Sequence, residues 1–234
     1  MLPVAILAGG LALRLRPVTE RVPKALLPFA GRPFIHWQLE LLVRRGITQV
    51  VLCVGFLGEL IRDAVGDGTD FGLEVRYSFD GERLLGTGGA LKRALPLLGE
   101  HFFVLYGDSY LDCSFAAAQE AYESSRSPGL MTVFRNDNRW DRSNVLWRDG
   151  RIVEYNKRAP RADMAYVDYG LAVLSAQTLQ EWRDGAAFDL ADVYHELSLR
   201  GALAGLEVAE RFYEIGSRQG MEETDRYLSA RAGR

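Results

Sequence analysis

Val4 to Leu7 is apolar without interruption and runs into Gly9-Gly10, then into a segment carrying Arg14, Arg16 and Lys24 among Pro17, Pro23 and Pro28. A strand with no polar alternation is covered on both faces, which places it centrally in a parallel sheet flanked by helices. The glycine pair at its carboxyl end allows positive φ and a close backbone approach to whatever lies beyond the sheet. Successive N–H groups in such a bend form a concavity for anions. Arginine and lysine add the charge that phosphates need. Strand, glycine turn and basic loop together read as a nucleotide-phosphate site walled by Leu7, Ala8, Gly9 and Gly10.

The first half alternates strand-like and helix-like segments, the signature of βαβ units. Pro33 to Arg45 reads as a helix closed by Gly46, and Gln49–Val54 as a second strand. A short helix around Glu59–Val65, a strand near Leu73–Tyr77 and a polar loop over 79–88 follow. Gly89–Leu95 is expected as a short helix stopped by Pro96, then Phe102–Tyr106 as a strand ending at Gly107-Asp108. Ala116–Ser125 reads as a helix and Leu130–Arg135 as a strand. Asp149-Gly150 between Asn144–Arg148 and Arg151–Tyr155 is a hairpin signal. Tyr166–Leu174 is a further strand, with helices near Ala176–Trp182, Leu190–Leu199 and Gly220–Leu228. Short strands are expected at Leu206–Ala209 and Phe212–Ile215. The expected fold class is α/β, one domain whose β-rich second half shares the sheet.

A net charge of −3 over 234 residues opposes non-specific binding to nucleic acid or anionic membranes, so any phosphate site must be a local concentration of Lys and Arg. No run approaches the ~20 apolar residues that span a bilayer. The opening apolar run lacks the basic flank of a signal peptide. Cys53 and Cys113 lie apart in apolar surroundings and read as buried thiols of a cytoplasmic protein.

Asp108 ends an apolar strand, where α/β sheets place their ligands. A carboxylate there suits Mg²⁺, which takes oxygen ligands and keeps waters and phosphates around it; the plainer reading is a turn cap. Asp112 reads as an N-cap. Glu214, between bulky residues and before Gly216, reads either as a solvent-facing strand residue or, paired with Asp108, as a second metal ligand. Leu85-Gly86-Thr87-Gly88-Gly89-Ala90 is a second glycine turn opening a helix, suited to phosphate, ribose or base. Lys157 offers a second phosphate charge or is a solvated loop lysine. His36, His101 and His195 carry no partner motif, and Ser109 and Ser217 lack a nucleophile elbow.

These residues resemble the sugar-1-phosphate nucleotidyltransferase family. Gly9, Gly10, Arg14, Leu15, Pro17, Thr19, Pro23, Lys24 and Pro28 follow its Gly-Gly-x-Gly-Thr-Arg-Leu-x-Pro-x-Thr…Pro-Lys…Pro signature in order and spacing. The similarity continues through Gly86-Thr87-Gly88-Gly89, Gly107-Asp108, Lys157, Asp168-Tyr169-Gly170 and Glu214-Ile215-Gly216-Ser217. It is nearest the compact guanylyl- and uridylyltransferases acting on heptose, mannose or muramate 1-phosphates. The resemblance implies a Rossmann-like, mostly parallel central sheet flanked by helices, with a smaller β-rich sugar-binding part (a GT-A-like fold). It implies one domain over 1–234, with 1–113 mainly nucleotide-binding and 114–234 mainly sugar-phosphate-binding. The substrates it implies are an NTP, with GTP first and UTP second, and a sugar 1-phosphate. Monomer and homo-oligomer both stay open.

By the same resemblance Arg14 holds the triphosphate, Lys24 bridges the α-phosphate and the attacking group, and Asp108 and Glu214 hold Mg²⁺. Lys157 binds the sugar phosphate, Asp168 and Gly170 line the sugar pocket, and Gly88 lets the base or ribose pack on backbone. Four positions depart from the pattern. Ala12 and Leu13 stand where the family has glycine and threonine; if position 12 needs positive φ, alanine costs about 1 kcal/mol or more. Glu214 replaces an aspartate, and Asn156 replaces a glutamate before the lysine. The same departures support an alternative, a catalytically weakened regulatory homologue that binds nucleotide or sugar phosphate. A glycosyltransferase lacks its Asp-x-Asp at Asp108-Ser109-Tyr110, and a dehydrogenase lacks the Gly-x-Gly-x-x-Gly spacing.

Overall fold

Val4–Leu7 forms β1, and its Val4, Ala5 and Ile6 are completely buried, as an unbroken apolar run requires. The computed structural model describes residues 1–232. After β1 come β2 (Pro28–Phe29), β3 (Arg32–Pro33), α1 (Phe34–Arg44), β4 (Gln49–Val54), α2 (Gly58–Val65), β5 (Glu74–Phe79), α3 (Gly86–Leu98), β6 (His101–Tyr106) and β7 (Ser109–Tyr110). The second half adds α4 (Phe115–Ser125), β8 (Gly129–Arg135), β9 (Val145–Arg148), β10 (Arg151–Tyr155), β11 (Tyr166–Ser175), α5 (Leu190–Leu199), β12 (Leu203–Val208), β13 (Tyr213–Glu214) and α6 (Arg218–Ala232).

The four strands β6-β1-β4-β5 are parallel, with β1 inside the set. β11 joins β6 antiparallel and extends the sheet with β8, β9 and β10, while β12 runs parallel to β8. Strands from both halves of the chain thus share one nine-stranded sheet. The twofold alternation of side chains sorts the core. Val4, Ile6, Val50, Leu52, Phe103 and Leu105 pack with residues of α1, α2 and α4 on one face. Ala5, Val51, Cys53, Phe102 and Val104 meet α3 and α5 on the other. Each large buried side chain contributes about 1.5–3 kcal/mol. A third cluster of Phe29, Phe34, Trp37, Tyr110, Ile215 and Leu228 ties α1, β7, β13 and α6 together beside the sheet.

The expected hairpin forms as β9 and β10, with Asp149 and Gly150 at φ +49° and +73°. Four expectations are corrected. Pro96 does not stop the preceding helix, which begins at Gly86 and runs to Leu98. Proline removes one N–H, but Gly99 still donates to the Leu95 carbonyl (3.3 Å) and ends the helix with φ +79°. Asp112 caps nothing: Ser114 is the N-cap of α4, accepting from Ala117 N–H at 3.1 Å, and Asp112 instead pairs with Arg45 at 2.5 Å and with Arg231. Ala176–Leu179 is a single 3₁₀ turn started by Ser175, not a helix to Trp182. The strand expected at Leu206–Ala209 is Leu203–Val208, because pairing to β8 sets its limits. Cys53 and Cys113 are free and buried, and burial pushes each thiol up to about 12. Among the described residues no helix is long and apolar enough to cross a membrane.

Candidate active site

The carboxyl ends of β1 and β6 form the floor of a cleft. Glycine is required there by close approach: a Cβ on Gly9 would stand 2.9 Å from Gly55 N, and one on Gly107 would stand 2.9 Å from Leu7 O. The loop after Gly10 turns at Ala12, which lies in the left-handed region at φ +47°, ψ +46°. Thr19, nearly completely buried, holds that turn by donating from Oγ1 to the Ala12 carbonyl at 2.9 Å. The position where the family signature has glycine therefore does need positive φ, and alanine there costs about 1–2 kcal/mol. Ala12→Gly should raise the thermal midpoint by about 1–3 °C, because the relief slightly exceeds glycine's extra freedom in the unfolded chain. Ala12→Val should lower it, as a calorimetric scan of the three proteins will show.

A cavity of about 240 Å³ opens on this wall, lined by Leu7, Ala8, Gly9, Gly10, Lys24 and Asp108 and, on its other side, by Asp80, Leu84, Gly86 and Thr87. Gly88 is not in its lining. The Gly88 N–H donates to the Phe188 carbonyl at 3.0 Å, Gly89 N–H points to the same oxygen at 3.4 Å, and Gly88 packs against the Phe188 ring. The segment before α5 thus takes the third and fourth N–H groups of this helix, and Gly86 and Thr87 form the cavity wall in place of Gly88. Thr87 Oγ1 locks the arrangement, donating to Asp189 Oδ1 at 2.7 Å and accepting from Leu190 N–H at 2.8 Å.

Asp108 stands where this cavity meets a second. Buried Gln38 on α1 fixes the turn, donating from Nε2 to the Tyr106 and Ser109 carbonyls at 3.0 and 2.7 Å. Lys24 Nζ lies 2.5 Å from Asp108 Oδ2. The β7–β13 ladder then sets Glu214 opposite Ser109, with Ile215 N–H donating to the Asp108 carbonyl at 3.0 Å. The point where a Gly216 Cβ would sit is 2.5 Å from Glu214 Oε2 and 3.7 Å from both Arg14 Nη2 and Asp108 Oδ2. Two carboxylates and a guanidinium therefore converge on one spot. Glu214 is oriented by Gly216 N–H at 2.5 Å and Ser217 Oγ at 2.8 Å, and the absence of a Cβ at Gly216 and Gly220 makes room for its longer side chain.

The second cavity, about 320 Å³, is lined by Arg14, Asn144, Tyr155, Lys157, Asp168, Gly170, Arg211 and Glu214, and shares Tyr106 and Asp108 with the first. A break of register in β11 between Asp168 and Ala172, with Gly170 at φ +103°, turns Asp168 toward it. Asp168 Oδ1 accepts Gly170 N–H at 2.9 Å, and burial pushes its carboxyl up to about 6. Asn156 is not in the lining: its Nδ2 donates to Glu154 and its Oδ1 accepts from Ala159 N–H at 2.9 Å. Arg211 is held at 4.8 Å over the Trp140 ring and 5.0 Å over that of Tyr213.

Tertiary structure thus gathers Leu7, Ala8, Gly9, Gly10 and Lys24 on one side of Asp108, with Arg14, Lys157, Asp168, Gly170 and Glu214 on the other. Sequence reasoning missed Asp80, Asn144, Tyr155 and Arg211, whereas Thr87 belongs to the glycine turn it had singled out. Asp80 sat inside a segment marked only as a polar loop; the other three carried no local signal. Among the described residues no three of His, Cys, Asp and Glu cluster as a metal site. Asp108 and Glu214 nonetheless suit a divalent ion that draws its remaining ligands from phosphates and water.

Comparison with known proteins shows the family and the fold. Residues 4–143 match the family described as nucleotidyl transferase. The N-acetylmuramate alpha-1-phosphate uridylyltransferase of Neisseria meningitidis is 42% identical over 51% of this chain and 52% of its own length. A D-glycero-alpha-D-manno-heptose 1-phosphate guanylyltransferase of Campylobacter jejuni is 36% identical over 46% of this chain and 48% of its own. The chain therefore aligns with about half the length of these curated relatives. A putative glucose-1-phosphate thymidylyltransferase of Bacillus anthracis, crystallised with sucrose, superposes with TM-score 0.86 at 19% identity over 98% of this chain and 96% of that one. HddC of Yersinia pseudotuberculosis gives 0.84 at 22% identity over 97% of this chain and 100% of its own. By the family match and the likeness of fold, the chain belongs to the nucleotidyl transferase family.

Proposed function

We propose that this protein transfers a nucleoside monophosphate from an NTP to a sugar 1-phosphate. The observation that carries the reading is the pair of cavities meeting at Tyr106 and Asp108, one with a glycine and lysine wall, the other polar and lined by Lys157. A phosphate oxygen of the sugar 1-phosphate attacks the NTP α-phosphorus in line. The bond to the bridging oxygen breaks, and pyrophosphate leaves with that electron pair. Such a transfer needs positioning and charge neutralisation rather than a protein nucleophile.

The N–H groups around Gly9 and Gly10 cradle the triphosphate. Arg14 neutralises charge at the junction, and Lys157 holds the sugar phosphate. Lys24 reaches the α-phosphate by exchanging its Asp108 partner for a phosphate oxygen. Asp108 and Glu214 are the groups that would hold Mg²⁺, which when bound lowers the repulsion between the two phosphates. Asp168 accepts a hydrogen bond from a sugar hydroxyl. Buried free thiols and an NTP substrate fit a cytoplasmic enzyme. Pyrophosphate release, measured with four NTPs and a panel of sugar 1-phosphates with and without Mg²⁺, tests the reading, with GTP first and UTP second. A second reading, a regulatory homologue, is favoured by the strain at Ala12 and the longer carboxylate at Glu214; tight NTP binding without turnover for any acceptor would select it.

Asp168 makes the reading pH-dependent. Its carboxyl titrates at about 6 in the folded protein against 3.8 ordinarily. A raised carboxyl pKa withholds stability above the folded value and returns it as pH falls through that window. Protonation also removes a charged acceptor for sugar. The KM for the sugar 1-phosphate should therefore rise below about pH 6 in the native enzyme. In Asp168→Asn it should be high and lack that inflection, which separates the residue from titration of the substrate.

A further inference from the structure

Asp108 sits on the short connection Gly107-Asp108 between β6 and β7. Main-chain bonds tie this connection down at two points. Gly107 N–H donates to the Leu7 carbonyl at 3.0 Å, and Ile215 N–H donates to the Asp108 carbonyl at 3.0 Å. A third tie comes from a side chain on α1. Gln38 Nε2 has two N–H groups and directs them at the two ends of the connection, the Tyr106 carbonyl at 3.0 Å and the Ser109 carbonyl at 2.7 Å. Among the described residues no other side chain hydrogen-bonds the backbone from Tyr106 to Ser109. Further along the helix Arg44 donates to the Tyr110 hydroxyl at 3.0 Å and Arg45 to the Asp112 carbonyl at 3.2 Å. The segment after β6 is thus held along its length by α1.

A glutamine is a costly choice at this position. Gln38 is 1% exposed, and the other buried residues of α1 are aromatic or aliphatic. Its Oε1 is buried and accepts no hydrogen bond among the described residues. A leucine would fill the site without an unmet oxygen, so packing alone does not account for an amide there. Gln38 also lines neither cavity, and in the transferase reading it touches neither substrate. Its one distinctive contact is the span between the end of β6 and the start of β7. That span decides where the Asp108 carboxylate stands relative to Glu214 and Arg14. A misplacement of about 1 Å at a reacting centre costs on the order of 10²-fold in rate. Groups that orient the ligands of an ion have effects nearly as large as the ligands themselves.

We propose that Gln38 is a positioning residue: from α1 it sets the Asp108 carboxylate where, together with Glu214, it takes a divalent ion. This rests on the metal assignment within the transferase reading. The test compares the native chain with Gln38→Leu, Gln38→Met, Asp108→Asn and Leu39→Val. Binding of Mn²⁺ alone is read from the electron paramagnetic resonance signal of the free ion. GTP binding is titrated in EDTA, and turnover is followed by pyrophosphate release. Gln38→Leu and Gln38→Met keep the volume and donate nothing, so each should weaken Mn²⁺ binding and lower kcat on the order of 10- to 100-fold. GTP affinity in EDTA should stay near the native value, because the glycine wall is built on β1 and does not depend on Gln38. Leu39→Val trims the core on the same helix, and it should lower the thermal midpoint while leaving Mn²⁺ affinity native. Native Mn²⁺ affinity in a folded Gln38→Leu or Gln38→Met protein, beside weakened binding in Asp108→Asn, would overturn the proposal alone. So would an equal loss of Mn²⁺ affinity in Leu39→Val, which would reduce Gln38 to general stability. Mn²⁺ binding indifferent to Asp108→Asn would overturn the metal assignment and the proposal with it. Weakened Mn²⁺ binding in both Gln38 variants, with no pyrophosphate from any acceptor in the native chain, would leave the proposal standing and overturn the transferase reading instead.

Discussion

Asp108→Asn lowers kcat roughly 10²–10³-fold with an unchanged fold. The asparagine keeps the side-chain volume, and the backbone carbonyl still accepts Ile215 N–H at 3.0 Å, so the β7–β13 ladder that presents Glu214 survives. What disappears is one of the two carboxylates that face each other across Gly216. Its charge matters most where negative charge is crowded between two phosphates, so the loss falls on kcat and on the Mg²⁺ concentration needed for half-maximal rate. NTP binding, carried by the glycine wall, changes less. Near-native turnover at ordinary Mg²⁺ would remove the metal assignment, and a far-ultraviolet spectrum with a thermal midpoint checks the fold.

Lys24→Ala produces a fall of similar size in kcat but the opposite response to Mg²⁺. Lys24 spends the unliganded state on Asp108 at 2.5 Å. Both groups are partly exposed, so the pair adds little to stability. Its removal frees the carboxylate for the ion, and the apparent Mg²⁺ affinity should rise while the rate collapses for want of charge at the α-phosphate. Lys24→Arg should recover little, since a planar fork cannot replace a compact ammonium that moves between two oxygens. A Mg²⁺ titration of the variants decides it; parallel loss of rate and of Mg²⁺ affinity in Lys24→Ala would mean that lysine only positions Asp108.

Much of the site was legible because its parts are local. Glycine before a left-handed or crowded turn, proline beside lysine, and an acid at the end of an apolar strand each state their geometry within a few residues. The Ala12 departure was legible in the same way, as a conditional strain that its φ of +47° makes real. Gly88 misled because a helix N-terminus looks free in sequence, whereas the carbonyl of Phe188, a hundred residues on, already occupies it. Pro96 misled because a proline in a last turn costs one N–H and not the helix. Asn144, Tyr155 and Arg211 reach the second cavity only through sheet register and loop packing, for which no short motif exists.

The sequence by itself determined the parallel centre of the sheet, the glycine and lysine wall at its carboxyl edge, and the family to which those spacings belong. Each follows from side-chain periodicity or from the steric needs of one turn. Only the tertiary structure decided that Glu214 stands against Asp108, that the break in β11 turns Asp168 into the second cavity, and that Asp80 is buried in the wall of the first. Those are meetings of segments far apart in the chain. The pairing register and the packing of two sheet faces, not any local preference, bring them together.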